Sequence, residues 1–356
     1  MADTAVRERR PPGSYRDTLM YAEAGDAASS VRRLLDTNRA ALARIAARLR
    51  STPPRLVVTC ARGSSDHAAT FGKYVIETLA GVTTASAALS VASVYPQAPG
   101  GLDDGARLCL AISQSGRSPD LLAAVEAERR RGAFVVALVN ADGSPLAALA
   151  DEVLALSAGA EESVAATKSY LASLAALAAL VAAWVDDREL AAAVDGLPAL
   201  LPRAFALDWS AALEPLHAAS NLFVIGRGYG LGAAQEAALK LKETCGLHAE
   251  CISSAEVRHG PMALVADGFP ILAFAGSGAA GDHVRETAAL FSTRDARVML
   301  ADTTGSAGSL PALAAHPVIE PILMVQSFYA LAARLAVARG HDPDRPPFLR
   351  KITRTT

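Results

Sequence analysis

Two turns in the first half of the chain return in the second half at almost the same distance. Arg62-Gly63 closes the short β-branched run Arg55–Thr59, and Arg227-Gly228 closes Asn221–Ile225, 165 residues on (227 − 62). Ser115-Gly116 follows Leu108–Ile112, and Ser277-Gly278 follows Pro270–Phe274, 162 residues on (277 − 115). The Ala-rich stretch after Glu161 has a counterpart after Glu320, with Tyr170 answered by Tyr329. Unrelated segments would scatter these offsets, so the near-constant spacing marks a tandem duplication. Each copy alternates strand-like runs with longer Ala/Leu helical runs, the pattern of βαβ units in a parallel sheet. The expected fold class is α/β: two similar domains, each a parallel sheet flanked by helices in a doubly wound, flavodoxin-like arrangement.

Further strands are expected at Phe134–Val139, Glu152–Leu156 and Arg297–Leu300, and helices at His67–Leu79, Pro119–Arg131 and from Ala233. The division that follows is a flexible N-terminal tail at 1–19, domains at 20–195 and 196–340, and a C-terminal tail at 341–356. Arg188–Trp209, punctuated by Pro198 and Pro202, reads as the linker.

Composition narrows the class. At 356 residues there is room for two units of roughly 150 residues each. With 51% apolar and 20% charged residues, the chain has ample apolar surface to offset ordering entropy, which excludes a mainly disordered protein. The balance of 34 Lys and Arg against 36 Asp and Glu argues against nucleic-acid and polybasic membrane partners. Leu171–Trp184, the longest apolar stretch at 14 residues, is shorter than the ~20 needed to span a bilayer and reads as a buried helix. Met1–Gly13 is polar and lacks the apolar core of a secretory signal. Cys60, Cys109, Cys245 and Cys251 have no metal-site spacing and read as buried thiols in a reducing cytoplasm.

Ligands of open parallel sheets bind beyond the carboxyl ends of the strands, against helix N-termini. Ser64 and Ser65 stand at one such turn of the first half; Ser113, Gln114, Ser115 and Ser118 stand at the next. Each turn taken alone reads first as helix capping. Two on consecutive strand ends open onto one crevice, so a phosphate cradle stands as an equal reading beside capping. The matching places in the second half hold Gly, Ala and Tyr, so one phosphate site per chain is expected. Glu236, Lys240 and Glu243 share one helix face, either as a solvated stripe or, if packed on a sheet, as an acid–base cluster suited to carbon-acid proton transfer. His259 follows at a Gly-Pro turn, where spacing alone assigns it no role.

These motifs resemble a known family. Ala61-Arg-Gly-Ser-Ser-Asp-His67, Ala111-Ile-Ser-Gln-Ser-Gly116 and Ser163-Val-Ala-Ala-Thr-Lys168 resemble the sugar isomerase (SIS) domains of glucosamine-6-phosphate synthase. So do Gly226-Arg-Gly-Tyr229, Glu236-Ala-Ala-Leu-Lys-Leu-Lys-Glu243 and His248-Ala-Glu250 through Pro261, and the tail Asp342–Lys351 is similar to that enzyme's C-terminal segment. The sequence starts Met1-Ala2-Asp3 and has no Cys before Cys60, where that synthase carries an N-terminal glutaminase domain with a nucleophilic Cys. The resemblance therefore runs closest to stand-alone members acting as glucosamine-6-phosphate deaminases, whose Ser-Gln-Ser-Gly-Arg-Ser-Pro-Asp turn matches Ser113–Asp120.

The resemblance implies that Ser65, Ser113, Gln114, Ser115 and Ser118 hold a phosphate, with Ser64 and Val164 near the sugar. It implies that Glu243 shuttles a proton between C2 and C1, that Lys240 supports developing charge, and that Glu236 positions Lys240 or binds substrate. His259 would assist ring opening from the neighbouring subunit, which implies a homodimer with a shared site and a small-molecule phosphosugar substrate. Lys351 matches the synthase lysine that forms a Schiff base; here it forms one or only orients the substrate. Arg117 either adds charge near the phosphate or faces solvent, and Ala166 stands where the synthase has a sugar-contacting Ser. The implied chemistry calls for no metal and no cofactor. A related phosphosugar reaction, on galactosamine 6-phosphate or a deglycase substrate, and a non-catalytic sugar-phosphate sensor are the alternatives.

Overall fold

Alternate residues of each strand face opposite ways, and in this chain both faces are apolar. Along the first sheet Val57, Leu108, Leu110, Ile112, Val136 and Leu138 enter one core, while Val58, Cys60, Cys109, Ala111, Val135 and Ala137 enter another. Runs apolar on both faces belong to parallel sheets covered by helices on both sides. The computed structural model describes residues 13–95 and 106–351. The N-terminal tail thus lies outside the described residues up to residue 12. From there Tyr15–Asp17 forms a 3-10 turn and the Thr18 side chain caps the first helix.

In chain order the first half comprises α1 (Leu19–Gly25), α2 (Ala27–Ser51), β1 (Leu56–Cys60), α3 (Ser64–Leu79), β2 (Thr84–Ser86), α4 (Leu89–Ser93), β3 (Arg107–Ser113), α5 (Pro119–Arg130), β4 (Phe134–Val139), α6 (Pro145–Leu149), β5 (Glu152–Ala155) and α7 (Lys168–Val185). Then follow α8 (Arg188–Phe205), α9 (Leu213–Ala218), β6 (Asn221–Gly226), α10 (Gly230–Cys245), β7 (His248–Ser253), β8 (Pro270–Ala275), α11 (Gly278–Ser292), β9 (Arg297–Asp302), β10 (Leu310–Pro311) and α12 (Glu320–Ala338). Both sheets are wholly parallel, in the orders β2-β1-β3-β4-β5 and β7-β6-β8-β9-β10. Counted within each half, that is the same 2-1-3-4-5 order, the flavodoxin-like one. The duplication read from the turns is therefore a duplication of topology.

One core is shared by the two halves. Helices α2, α3, α7, α8, α10 and α12 form a helical layer between the inner faces of the sheets. Outer faces are covered separately, by α4 and α5 on the first sheet and α11 on the second. Helices α7 and α12 are long and apolar enough to cross a membrane by length and composition, yet most of each is buried inside this layer.

The segment expected as a proline-punctuated linker is instead helix α8. Its Leu190, Val194, Leu197, Leu201 and Ala204 form one buried stripe, and Asp187 caps its first turn by accepting from the Leu190 amide at 2.9 Å. A proline inside a helix costs about 3 kcal/mol. Burial of four large aliphatic side chains at roughly 1.5–3 kcal/mol each offsets both Pro198 and Pro202.

Candidate active site

Neighbouring strands β1 and β3, paired Cys60 to Ala111, bring their carboxyl ends side by side. The turns that follow face each other across a cavity of about 350 Å³. Ser64, Ser65, Ser113, Gln114, Ser115 and Ser118 all line it, as the sequence predicted. Ser113 Oγ accepts from the Gly116 amide at 2.9 Å, while Ser118 is the N-cap of α5 without a side-chain capping bond, leaving its hydroxyl for a ligand. Gly116 has φ +62°, and a Cβ there would stand 2.4 Å from Ser144 Oγ, so the turn demands glycine.

Arg62 also lines the cavity, and two of its N–H groups bind Asp120 Oδ2 at 2.9 and 2.8 Å. This clamp ties the β1 turn to α5 and holds a half-exposed guanidinium at the cavity wall. Sequence reasoning missed it, because partners 58 residues apart leave no local signal. Arg117 is exposed and lies outside the cavity, so of its two readings the solvent-facing one holds.

Helix α10, which carries Glu236, Lys240 and Glu243, packs on α3 of the other half. Lys240 is 1% exposed and Glu236 fully buried, which removes the solvated-stripe reading. Lys240 Nζ lies 3.3 Å from Glu236 Oε1 and 2.5 Å from Glu243 Oε2, and donates to Ser64 Oγ at 3.1 Å. Ser64 in turn donates to Glu236 Oε1 at 3.1 Å. Ser64 therefore touches both the cavity and the ionic cluster. Burial pushes the Glu236 carboxyl up, but Lys240 and His67 outweigh it and hold the group below its ordinary value. Burial likewise pushes Lys240 down, and Glu236 and Glu243 more than reverse this. Both groups are charged at neutral pH.

A buried ion pair is strongly destabilised when one partner is unmatched, so its remaining lone pairs need donors. Tyr329 OH donates to Glu236 Oε1 at 3.1 Å, and His67 Nδ1 lies 3.2 Å from Oε2. Burial keeps the Tyr329 phenol protonated by raising it well above its ordinary value. The close approach of α10 to α3 depends on Gly232: a Cβ there would stand 2.5 Å from the His67 carbonyl oxygen. Tyr170 OH donates to the Gly232 carbonyl at 3.0 Å, so both repeat-related tyrosines end on α10. His67 stands in a motif read from sequence, but its place beside Glu236 appears only once the halves are docked.

A family model for the SIS domain matches residues 52–183 and 215–338. The chain belongs to the SIS domain family. It is 37% identical over 318 residues to glutamine–fructose-6-phosphate aminotransferase (isomerizing) of Aeropyrum pernix, covering 83% of this chain and 50% of that protein. The enzyme of the same name from Gloeobacter violaceus is 33% identical, with 96% of this chain and 56% of that one covered. The chain thus spans about half the length of the curated relatives it matches. Among solved structures, a provisionally assigned phosphosugar isomerase from Silicibacter pomeroyi is 42% identical with a TM-score of 0.86, covering 92% of this chain and all of that one. Glucosamine-6-phosphate deaminase from Thermotoga maritima shares the fold at a TM-score of 0.73 and 23% identity, over 95% of this chain and 100% of its own.

The second SIS domain lacks an open cradle. Its corresponding cavity is only about 20 Å³. Glu320 occupies the donors there: its carboxylate accepts from the Ser277 amide at 2.6 Å, from the Ser277 hydroxyl and from the Ala315 amide at 3.2 Å. An internal carboxylate thus sits against a turn that, in the first SIS domain, faces open space.

The remaining predicted residues fall in two places. Lys351 lines the first domain's cavity, donating to the Ser163 carbonyl at 2.7 Å. Val164 is not among the lining residues, although Ala166, Ser169, Tyr170 and Ser173 from its loop and helix are; its amide donates instead to the Asp344 carbonyl at 3.1 Å. His259 is exposed, after the 3-10 turn Glu256–Arg258, and does not line the cavity of its own chain. Cys60, Cys109 and Cys245 are buried and Cys251 is partly so; burial pushes the Cys245 and Cys251 thiols up to about 12. Among the described residues no cluster of three or more His, Cys, Asp and Glu side chains is arranged to hold a metal ion.

Proposed function

We propose that this SIS protein converts glucosamine 6-phosphate to fructose 6-phosphate and ammonia. The observation that carries the reading is the bridge from cavity to acid–base pair: Lys240 binds both Glu243 and the cavity-lining Ser64. The hydroxyls and amides around Ser65, Ser113, Gln114, Ser115 and Ser118 bind the phosphate, with Arg62 adding charge at the wall. Anchored there, an open-chain sugar extends its C1–C2 end toward Glu243. That carboxylate is partly exposed, with its side chain at 22%, which suits a base that must meet substrate.

In the proposed sequence Glu243 removes the C2 proton and the electron pair forms the C1–C2 double bond. Lys240 stabilises the negative charge developing on the C1 oxygen, and Glu236 holds Lys240. Return of the proton to C1, with an N–H proton passing to the C1 oxygen, leaves a C1 hydroxyl and an imine at C2. Water adds to it, and loss of ammonia yields the ketose. Atoms and electrons balance without a redox partner. Exposed His259 serves ring opening in a second copy, so the working unit is a homodimer with a shared site.

The test is ammonia release from a panel of 2-amino-2-deoxyhexose 6-phosphates. Fructose 6-phosphate and ammonia in equal amounts from the gluco compound are expected. Turnover of the galacto epimer alone would move the assignment to that sugar. Tight binding without turnover of any member would make the protein a sensor.

A further inference from the structure

The nearest acidic residue to Lys351 in sequence is Asp344, seven positions back, yet its amine is held in place by residues far back in the chain. Its Nζ donates to the Ser163 carbonyl at 2.7 Å and lies 3.5 Å from Glu161 Oε2. The Glu161 side chain is fully buried. Its Oε1 accepts from the Thr167 and Ser169 amides at 2.9 and 3.2 Å, and its Oε2 accepts from Ser169 Oγ at 2.6 Å. These bonds fix the carboxylate independently of the lysine.

We propose that Glu161 is the positioning residue that holds the Lys351 amine at the wall of the phosphosugar cavity. The proposal rests on the phosphosugar reading of that cavity. A lysine stem loses rotamer entropy when ordered, so a tail lysine needs a rigid partner to stay on a cavity wall. The tail is pinned first by Asp344, whose carboxylate accepts from the Leu19 and Met20 amides at the N-terminus of α1, both at 2.7 Å. Asp344 fixes the backbone, and Glu161 fixes the amine. The repeat shows that the second role is specific to the first domain. Glu320, the counterpart of Glu161, turns its carboxylate onto Ser277 and closes its own cradle. In the first domain the cradle stays open and the equivalent carboxylate is turned to Lys351.

The probe is pyridoxal 5′-phosphate, a phosphate-bearing aldehyde, followed by borohydride and peptide mass spectrometry. The amine condenses with the aldehyde, releasing water, and hydride reduces the resulting imine. Wild-type protein should carry label on Lys351 that inorganic phosphate suppresses. Glu161→Gln keeps an oxygen for the loop amides but removes the charge facing Lys351. It should lose the phosphate-suppressible label by roughly tenfold to a hundredfold. Its phosphate affinity and melting temperature should stay near wild type, both of which a purely structural role in the loop would move. If Glu161→Gln does not fold, Glu161→Asp keeps the buried charge and withdraws it from Lys351, and the same loss is expected. Unchanged labelling in the folded variant overturns the role of Glu161. Absence of phosphate-suppressible label on wild-type Lys351 overturns the placement of the amine at an anion site, and the proposal with it. Neither result touches deamination, which ammonia release reads separately.

Discussion

Lys240 Nζ donates to Ser64 Oγ at 3.1 Å, tying α10 of the second SIS domain, with its buried ionic cluster, to the first turn of the cavity-lining helix of the first. Neither domain alone holds the assembled site. The hydroxyls come from one copy of the duplication and the ionic cluster from the other, so the docking of α10 on α3 makes the site.

Replacing the base tests the proton shuttle most directly. Glu243→Gln should leave sugar-phosphate binding intact while turnover falls by about 10²–10⁴. Isothermal titration alongside steady-state kinetics separates the two effects. Wild-type turnover in this variant would remove Glu243 from the mechanism.

Ser64 lines the cavity while its side-chain bonds go to Glu236 and Lys240 of the cluster. For Ser64→Ala we expect kcat to fall by roughly 10–100-fold, the equivalent of one hydrogen bond to a charged group, with a smaller rise in KM. A change confined to KM would mean that Ser64 serves only as a sugar ligand.

Gly232→Ala forces a methyl group against the His67 carbonyl, a backbone atom that cannot swing away. Overpacking of this kind costs about 1–3 kcal/mol. The urea midpoint should drop, and activity should drop further than stability does, since the same displacement separates Lys240 from Ser64. Equal stability to wild type would show that the helices have slack the geometry does not suggest.

Asp302, at the end of β9, offers a pH test. Burial pushes its carboxyl up, but bonds from Ser306, Thr304 and Arg285 outweigh this and bring it from 3.8 to about 2. A depressed carboxyl stabilises the fold above its unfolded value, and that stability is lost as pH falls through the folded value. The contribution is about 2 kcal/mol above pH ~4 and fades toward pH ~2. The stability gap between wild type and Asp302→Asn should therefore narrow by about 1 kcal/mol between pH ~5 and pH ~3 in chemical denaturation. A gap independent of pH would contradict the assignment.

Mixing Glu243→Gln with His259→Ala protein tests the shared site. Each variant alone should be nearly inactive. After subunit exchange, hybrid dimers carrying one intact pair should regain part of the wild-type rate, at most about a quarter for random mixing of two chains with one good site per hybrid. Confirmed exchange without recovery would place His259 outside the neighbouring site.

What was legible in the sequence was whatever repeats locally. The strand runs before Arg62, Ser113, Arg227 and Ser277 have the length and apolar character of a buried parallel sheet, and the turns of the first half carry their serine hydroxyls openly. Strands β2, β7 and β10 escaped notice. β2 and β10 are only three and two residues long, and the six-residue β7, His248–Ser253, mixes exposed and buried residues without a continuous apolar run. Helix α8 was hidden by Pro198 and Pro202, since local propensity gives no sign of the neighbours α2, α7 and α12 that bury its stripe.

The sequence by itself determined the duplication, the parallel α/β class, the serine cradle and the common face of Glu236, Lys240 and Glu243. Those features live within one turn or one helix, where covalent spacing dictates geometry. Tertiary structure alone decided that Glu236 and Lys240 are buried and charged, that His67, Tyr329 and Ser64 satisfy them, and that Lys351 lies at the cavity beside Glu161, on a tail bonded through Asp344. It also closed the second cradle with Glu320. The physical reason is common to all of these. Desolvation and charge pairing depend on which groups meet across tens to hundreds of residues, and that is settled only when the two copies pack against one helical layer.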